Sequence, residues 1–269
     1  MIKLVASDLD GTLLKVHGGG LAPYTRDVVL RLINSGVHFV AASGRQLTGE
    51  YIILDGFGDS ISYIAENGAV CVHNGEMLYR SPLAPTLAME IITEVKKHPD
   101  LELAVSCDSG CYIEDKNKAY VEHLTNDPYT KVLLIDDVTN IKEEIIKVTI
   151  RYPGDDEAEM LTYIRRFNAR FQNKLKIITS GFGWLDFIRP DINKGTTLEK
   201  LIAHLGILPE ECIAFGDQYN DIEMLQMVGI GYAMADGAPG VIPYADKITD
   251  SVEEVLEALI LTNQKHKQG

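Results

Sequence analysis

Asp8-Leu9-Asp10-Gly11-Thr12 places two carboxylates two residues apart, directly after the apolar run Ile2 to Ser7. Ligands of open α/β sheets bind beyond the carboxyl ends of strands, so acids at such a point are candidates for chemistry, although Asp10-Gly11 alone would also make a turn. Gly216-Asp217-Gln218-Tyr219-Asn220-Asp221 follows a second apolar run, Cys212 to Phe215, and adds two acids and an asparagine. Asp8, Asp10, Asp217 and Asp221 crowded together repel one another unless a cation joins them, and an oxygen-only donor set suits magnesium. Ser43-Gly44-Arg45 sets a hydroxyl beside a glycine whose N–H can be approached closely, an anion seat or a turn with a capping serine. Lys194 precedes Thr196-Thr197-Leu198-Glu199, which has the Thr-x-x-Glu form of a capping box. A lysine at the positive end of a helix dipole is disfavoured, and a bound anion would remove the conflict.

These residues need a scaffold that brings distant strand ends to one edge. Ile2 to Ser7, His38 to Ala42 and Cys212 to Phe215 have the continuous apolar character of parallel strands covered on both faces. Thr25 is placed to cap a helix carrying Val28, Val29, Leu32 and Ile33, with Gly36 ending it. Leu201 to Leu205 and Glu223 to Val228 read as further helices. This alternation predicts an α/β fold with a doubly wound, mostly parallel sheet. From about Ser81 to Arg189 the pattern changes to α+β. Leu101 to Cys107 and Cys111 to Glu114 flank a hairpin turn, Glu144 to Tyr152 reads as a strand and Asp156 to Arg170 as a helix. Leu175 to Thr179 and Trp184 to Ile188 form another strand pair around Ser180-Gly181-Phe182-Gly183. With Pro82, Pro85 and Pro190 near the crossings, residues 82–189 are expected as a domain inserted into a core made of 1–81 and 190–269. Gly18 to Gly20 form a glycine-rich loop, and Asn263 to Gly269 a polar tail.

The 269 residues, 46% hydrophobic and 24% charged, have the composition of a globular protein rather than a disordered or collagen-like one. A formal charge of −14 opposes non-specific nucleic-acid or anionic-membrane binding, so an anionic ligand needs a local cation. Cys71, Cys107, Cys111 and Cys212 show neither C-x-x-C pairing nor zinc spacing and read as reduced thiols. No apolar run reaches the roughly 18 residues of a membrane span, and the first residues lack a signal-peptide pattern, so a cytoplasmic location is the expectation.

Taken in order, Asp8-x-Asp10-Gly11-Thr12, Ser43-Gly44-Arg45, Lys194 and Gly216-Asp217-x-x-Asn220-Asp221 resemble the four motifs of the haloacid dehalogenase superfamily. Glu66-Asn67-Gly68-Ala69 and the long insertion between the serine and lysine motifs resemble its Cof-type sugar-phosphatase branch, which has a type IIB cap. The resemblance covers essentially the whole chain. It implies a Rossmann-like core and a magnesium-dependent phosphatase for a small phosphorylated metabolite, sugar phosphates foremost. Asp8 would carry an aspartyl phosphate, while Asp10, with a raised pKa, would act as acid and then base. Magnesium would be held by Asp8, the backbone carbonyl of Asp10 and Asp217, with Asp221 acting through water. Ser43, Gly44, Lys194 and Asn220 would hold the phosphoryl group, Asn67 would reach the substrate, and the cap would set specificity. Trp184, Tyr112 and Tyr120 could stack on a ring or serve as core. After Met234 the branch often has Gly-Asn where this chain has Ala235-Asp236. A phosphomutase and a non-catalytic binding protein of the same fold are the alternatives; a dinucleotide oxidoreductase lacks its Gly-x-Gly-x-x-Gly. No feature assigns an oligomeric state.

Overall fold

The computed structural model describes residues 1–15, 19–154, 156–179 and 183–268; Gly18 of the glycine run and Ser180-Gly181-Phe182 of the second hairpin lie outside the described residues. In chain order the elements begin with β1 (Leu4–Ser7), α1 (Pro23–Asn34), β2 (His38–Ala42), α2 (Leu47–Ile53), β3 (Ser62–Ala65), β4 (Val70–His73), β5 (Glu76–Arg80) and α3 (Pro85–Val95). They continue with β6 (Glu102–Cys107), β7 (Gly110–Glu114), α4 (Lys118–Thr125), β8 (Val132–Ile135), β9 (Lys147–Arg151), α5 (Glu157–Arg170), β10 (Lys176–Thr179) and β11 (Trp184–Ile188). The last are α6 (Lys194–Leu205), β12 (Cys212–Gly216), α7 (Ile222–Met227), β13 (Ile230–Met234), β14 (Lys247–Thr249) and α8 (Val252–Gln268).

The chain divides into two compact units, Met1–Tyr79 with Asn193–Gly269, and Arg80–Ile192. The first is built on a sheet of order β14-β13-β12-β1-β2-β3-β4-β5. β1 pairs in parallel with β2 on one side and β12 on the other, so the winding reverses direction at β1. Every residue of β1 and β12 is buried, which is why those strands show no polar alternation. Leu198, Leu201 and Ile202 of α6 and Met224 and Leu225 of α7 pack on one side of this sheet with Leu4, Ala6, Val40 and Ala214. The first helix starts earlier than expected. Pro23 occupies its opening turn after Ala22, a position where a missing N–H costs nothing, and Thr25 is buried inside it, donating its hydroxyl to Glu253 of α8 at 2.5 Å.

The second unit holds a sheet of order β10-β11-β9-β6-β7-β8, antiparallel except where β7 meets β8. Ile91 and Ile92 of α3 and Phe167 of α5 bury its apolar face with Val105, Val148, Leu185 and Phe187. Asp156 caps α5 by accepting from the N–H groups of Ala158 and Glu159. Tyr120 is core: it packs from α4 on Ala104, Cys111 and Ile113, with Trp184 beside it. Tyr112 is half-buried and donates its hydroxyl to Glu143 at 2.5 Å. The architecture is α/β with a doubly wound, mostly parallel sheet and an α+β second unit, as the strand and helix pattern predicts. All four cysteines are buried free thiols. Among the described residues no helix is long and apolar enough to cross a membrane.

Candidate functional site

Four strands of the first unit end at one edge of the sheet, and each delivers polar residues there. Asp8 follows β1, Ser43 follows β2, Glu66 and Asn67 follow β3, and Asp217 follows β12. That edge, at the reversal point beside β1, is where open α/β sheets bind ligands. The Asp8 N–H donates to the carbonyl of Phe215, which ties the end of β1 to the end of β12 and brings Asp8 and Asp217 together. Gly11 makes the approach possible. It has φ +85°, and a Cβ there would sit 2.4 Å from Oδ2 of Asp217. Thr12 donates its hydroxyl to Oδ1 of Asp217 at 2.8 Å, and Gln218 Nε2 donates to Oδ2 at 3.2 Å.

Lys194 is fully buried. Its Nζ donates to Oδ1 of Asp8 at 2.5 Å and to Oδ1 of Asp221 at 2.6 Å. The other Asp221 oxygen accepts the backbone N–H groups of Asp217 and Gln218, both at 3.0 Å. The helix start differs from the expected one. Asn193 is the cap, in a reciprocal pair with Thr196, and Lys194 is the first residue of α6, so Thr196 and Glu199 do not form the capping box. The dipole conflict is relieved by the chain's own carboxylates of Asp8 and Asp221. Burial alone would lower the Lys194 ammonium, but Asp221 and Asp8 outweigh it and hold the proton firmly. For Asp8, burial is the largest effect and pushes the carboxyl well above its usual range; Lys194 opposes this, and Asp221 and Asp217 reinforce it. Asp217 is raised by burial and by Asp221.

Asp10 stands apart from this buried group. Both of its oxygens accept from Arg45, Oδ2 from Nε at 2.6 Å and Oδ1 from Nη2 at 2.8 Å. Ser43 is buried, and its hydroxyl accepts the Arg45 N–H at 3.1 Å. Asn67 is also buried; its Oδ1 accepts from Nδ2 of Asn220 at 2.9 Å. Glu66 and Asn67 both adopt left-handed backbone, φ 54° and 58°, at a cost of roughly 1–3 kcal/mol each. Their N–H groups, bonded to the carbonyls of Arg45 and Ser43, hold that turn against the strand-end loop. Gly44 lies under Asn67, where an added Cβ would come 3.0 Å from Oδ1. Ala235 and Asp236 are exposed, while the loop that carries them closes on the site through the Ala238 N–H, which donates to the Asp217 carbonyl at 2.8 Å.

Asp8, Asp217 and Asp221 each offer a carboxylate oxygen, and these oxygens lie within 4.8 Å of one another. Three carboxylates against one lysine leave two negative charges to balance. A buried, oxygen-only, acid-rich donor set with that deficit fits a hard divalent cation such as magnesium. Two residues near the site carried no role in the sequence reading. Arg45 belongs to a motif, but its partner is 35 positions away. Glu50, on α2, is fully buried, and on a short helix nothing in its type announces that.

The haloacid dehalogenase-like hydrolase family matches residues 5–259, and the chain belongs to that family. It is therefore an enzyme of the hydrolase class. A curated relative from Escherichia coli (strain K12), 5-amino-6-(5-phospho-D-ribitylamino)uracil phosphatase, is 23% identical over 95% of this chain and 97% of its own. A crystal structure from Eubacterium rectale is 31% identical, with a TM-score of 0.81 over 96% of this chain and 99% of the other. The fold is also that of a subclass IIB sugar phosphatase, at a TM-score of 0.75 and 22% identity over 96% of this chain and 98% of that one.

Proposed function

We propose that this protein is a magnesium-dependent phosphatase of small phosphate monoesters, sugar phosphates foremost, working through an aspartyl phosphate on Asp8. The observation that carries the reading is the buried Asp8, Asp217 and Asp221 cluster with Lys194 bonded to two of its members. Asp8 is the nucleophile. A carboxylate forms an acyl phosphate and releases it again, which divides one displacement into two easier ones. The Lys194 ammonium proton not given to Asp8 or Asp221, the side chains of Ser43 and Asn220, and the N–H of Gly44 hold phosphoryl oxygens. Magnesium would be held by Asp8, the backbone carbonyl of Asp10 and Asp217, with Asp221, already committed to Lys194 and two amides, serving through water. When bound, the ion screens the negative charge of nucleophile and phosphoryl group.

Asp10 protonates the leaving alcohol and then deprotonates the attacking water. An acid in this role carries its proton on a lone-pair site other than the two that Arg45 occupies, while the guanidinium orients the group. Asn67, held by Asn220, touches the substrate. Residues 1–81 and 190–269 act as the catalytic core, and residues 82–189 as the inserted cap that selects among substrates. The polyol phosphate in the name of the Escherichia coli relative and the sugar phosphatase with the same fold support the substrate class. The test is phosphate release from a panel of sugar and alkyl phosphates, with magnesium and with chelator, beside Asp8→Asn. Magnesium-dependent release lost in the variant is expected. Isomerised sugar phosphate without free phosphate would identify a mutase, and silence across the panel would contradict hydrolysis.

A further inference from the structure

Glu50 is fully buried on α2, and neither of its carboxyl oxygens has a hydrogen-bond partner among the described residues. An ionised carboxylate in that position would lose its hydration with no bond in return, whereas a neutral acid tolerates burial far better. Burial accordingly pushes the Glu50 carboxyl well above its usual range. The charged groups facing it come from four elements: Lys194 from α6, Glu66 from the turn after β3, Asp8 from the end of β1 and Arg45 from the turn after β2. Tyr63 on β3, Cys71 on β4 and the adjacent Tyr51 complete the titratable surroundings. Among these, Lys194 exerts the strongest pull toward the ionised form. Its ammonium has three protons, of which two are given to Asp8 and Asp221. The third has no acceptor among the described residues.

We propose that Glu50 is a positioning residue, kept as a neutral carboxylic acid behind the site so that Lys194 stays committed to the reacting carboxylate and the phosphoryl group. Once ionised, Glu50 attracts the Lys194 ammonium and competes with the phosphoryl group for its charge. It also adds a buried negative charge beside three carboxylates and an anionic substrate. Activity then has an alkaline limit that belongs to Glu50 and not to the groups that do the chemistry.

This inference rests on the phosphatase reading, and its test separates the two. With saturating magnesium, kcat/KM for para-nitrophenyl phosphate is measured from about pH 6 to about pH 10, where loss of a single required proton lowers it about tenfold per pH unit above the controlling pKa. Glu50→Gln keeps the shape and cannot ionise; Glu50→Met is neutral and makes no hydrogen bond. Both should lose the alkaline fall and exceed the wild type at the alkaline end by about tenfold or more. In parallel, the wild-type minus Glu50→Gln infrared difference spectrum at neutral pH should contain a protonated-carboxyl band. Wild-type and variant profiles that superimpose, a wild type without an alkaline fall, or a difference spectrum without that band would each overturn the proposal. Absence of any phosphate release from wild type would instead strike the phosphatase reading, and the infrared band alone would then decide the state of Glu50.

Discussion

Arg45 grips Asp10 through two parallel hydrogen bonds, Nε to Oδ2 at 2.6 Å and Nη2 to Oδ1 at 2.8 Å. Only a guanidinium makes that fork, and it fixes the carboxylate plane as well as its position. Arg45→Lys keeps the charge and loses the plane. Its kcat for alkyl phosphates should fall about tenfold, equivalent to about 1.4 kcal/mol of orientation, and by less for para-nitrophenyl phosphate, whose leaving group needs little protonation. Steady-state kinetics on the two ester types measures this directly; an equal loss on both would show that Arg45 does not act through Asp10.

Lys194 is the only cation bonded to Asp8 and Asp221 among the described residues, and all three side chains are buried. Lys194→Met leaves those carboxylates without their partner. Breaking a buried pair from one side costs about 3 kcal/mol or more, so the variant should unfold at clearly lower urea concentration as well as lose turnover. Loss of turnover at full stability would contradict the structural half of this role.

Magnesium should stabilise the folded chain. At about 100 times its dissociation constant, a ligand that binds only the folded state adds about 2.7 kcal/mol, which raises the melting temperature by several degrees. Asp217→Asn removes one of the three carboxylates and should abolish most of that rise, measured by thermal melts with magnesium and with chelator. An identical rise in the variant would place the ion elsewhere.

Stability should also depend on His38. Its Nε2 lies 2.8 Å from the Ser62 hydroxyl, which is itself 2.8 Å from Nδ1 of His73. Burial, aided by His73, lowers the His38 pKa from 6.5 to about 4, and His73 is lowered in the same direction by burial and His204. As pH falls, the unfolded chain takes up the proton first, so the contribution of neutral His38 is whole above 6.5, declines toward about 4 and is flat below. Urea unfolding across that window should show the decline, and His38→Gln should make it shallower. An unchanged slope in the variant would remove His38 as its source.

Much of this was legible in the chain itself. Parallel strands buried on both faces must be continuous apolar runs, so β1, β2 and β12 announce themselves, and acids or serines directly after them can only fall at one sheet edge. β5 did not announce itself, because Glu76 and Met77 are exposed and its pattern is that of a loop. The start of α6 is ambiguous in the sequence because Thr196 and Glu199 fit the Thr-x-x-Glu pattern, whereas the pair that closes is Asn193 with Thr196. Arg45 on Asp10 and the burial of Glu50 depend on other elements, and no local spacing encodes them.

In the proposed reaction Asp8 takes up the phosphoryl group. Wild-type enzyme mixed with radiolabelled phosphate ester and magnesium, then quenched in acid within one turnover, should carry label that maps to the peptide containing Asp8 and is released by mild base. Asp8→Asn should carry none. Label on another residue, or turnover with no labelled enzyme and undiminished activity in Asp8→Asn, would contradict an aspartyl phosphate at this site.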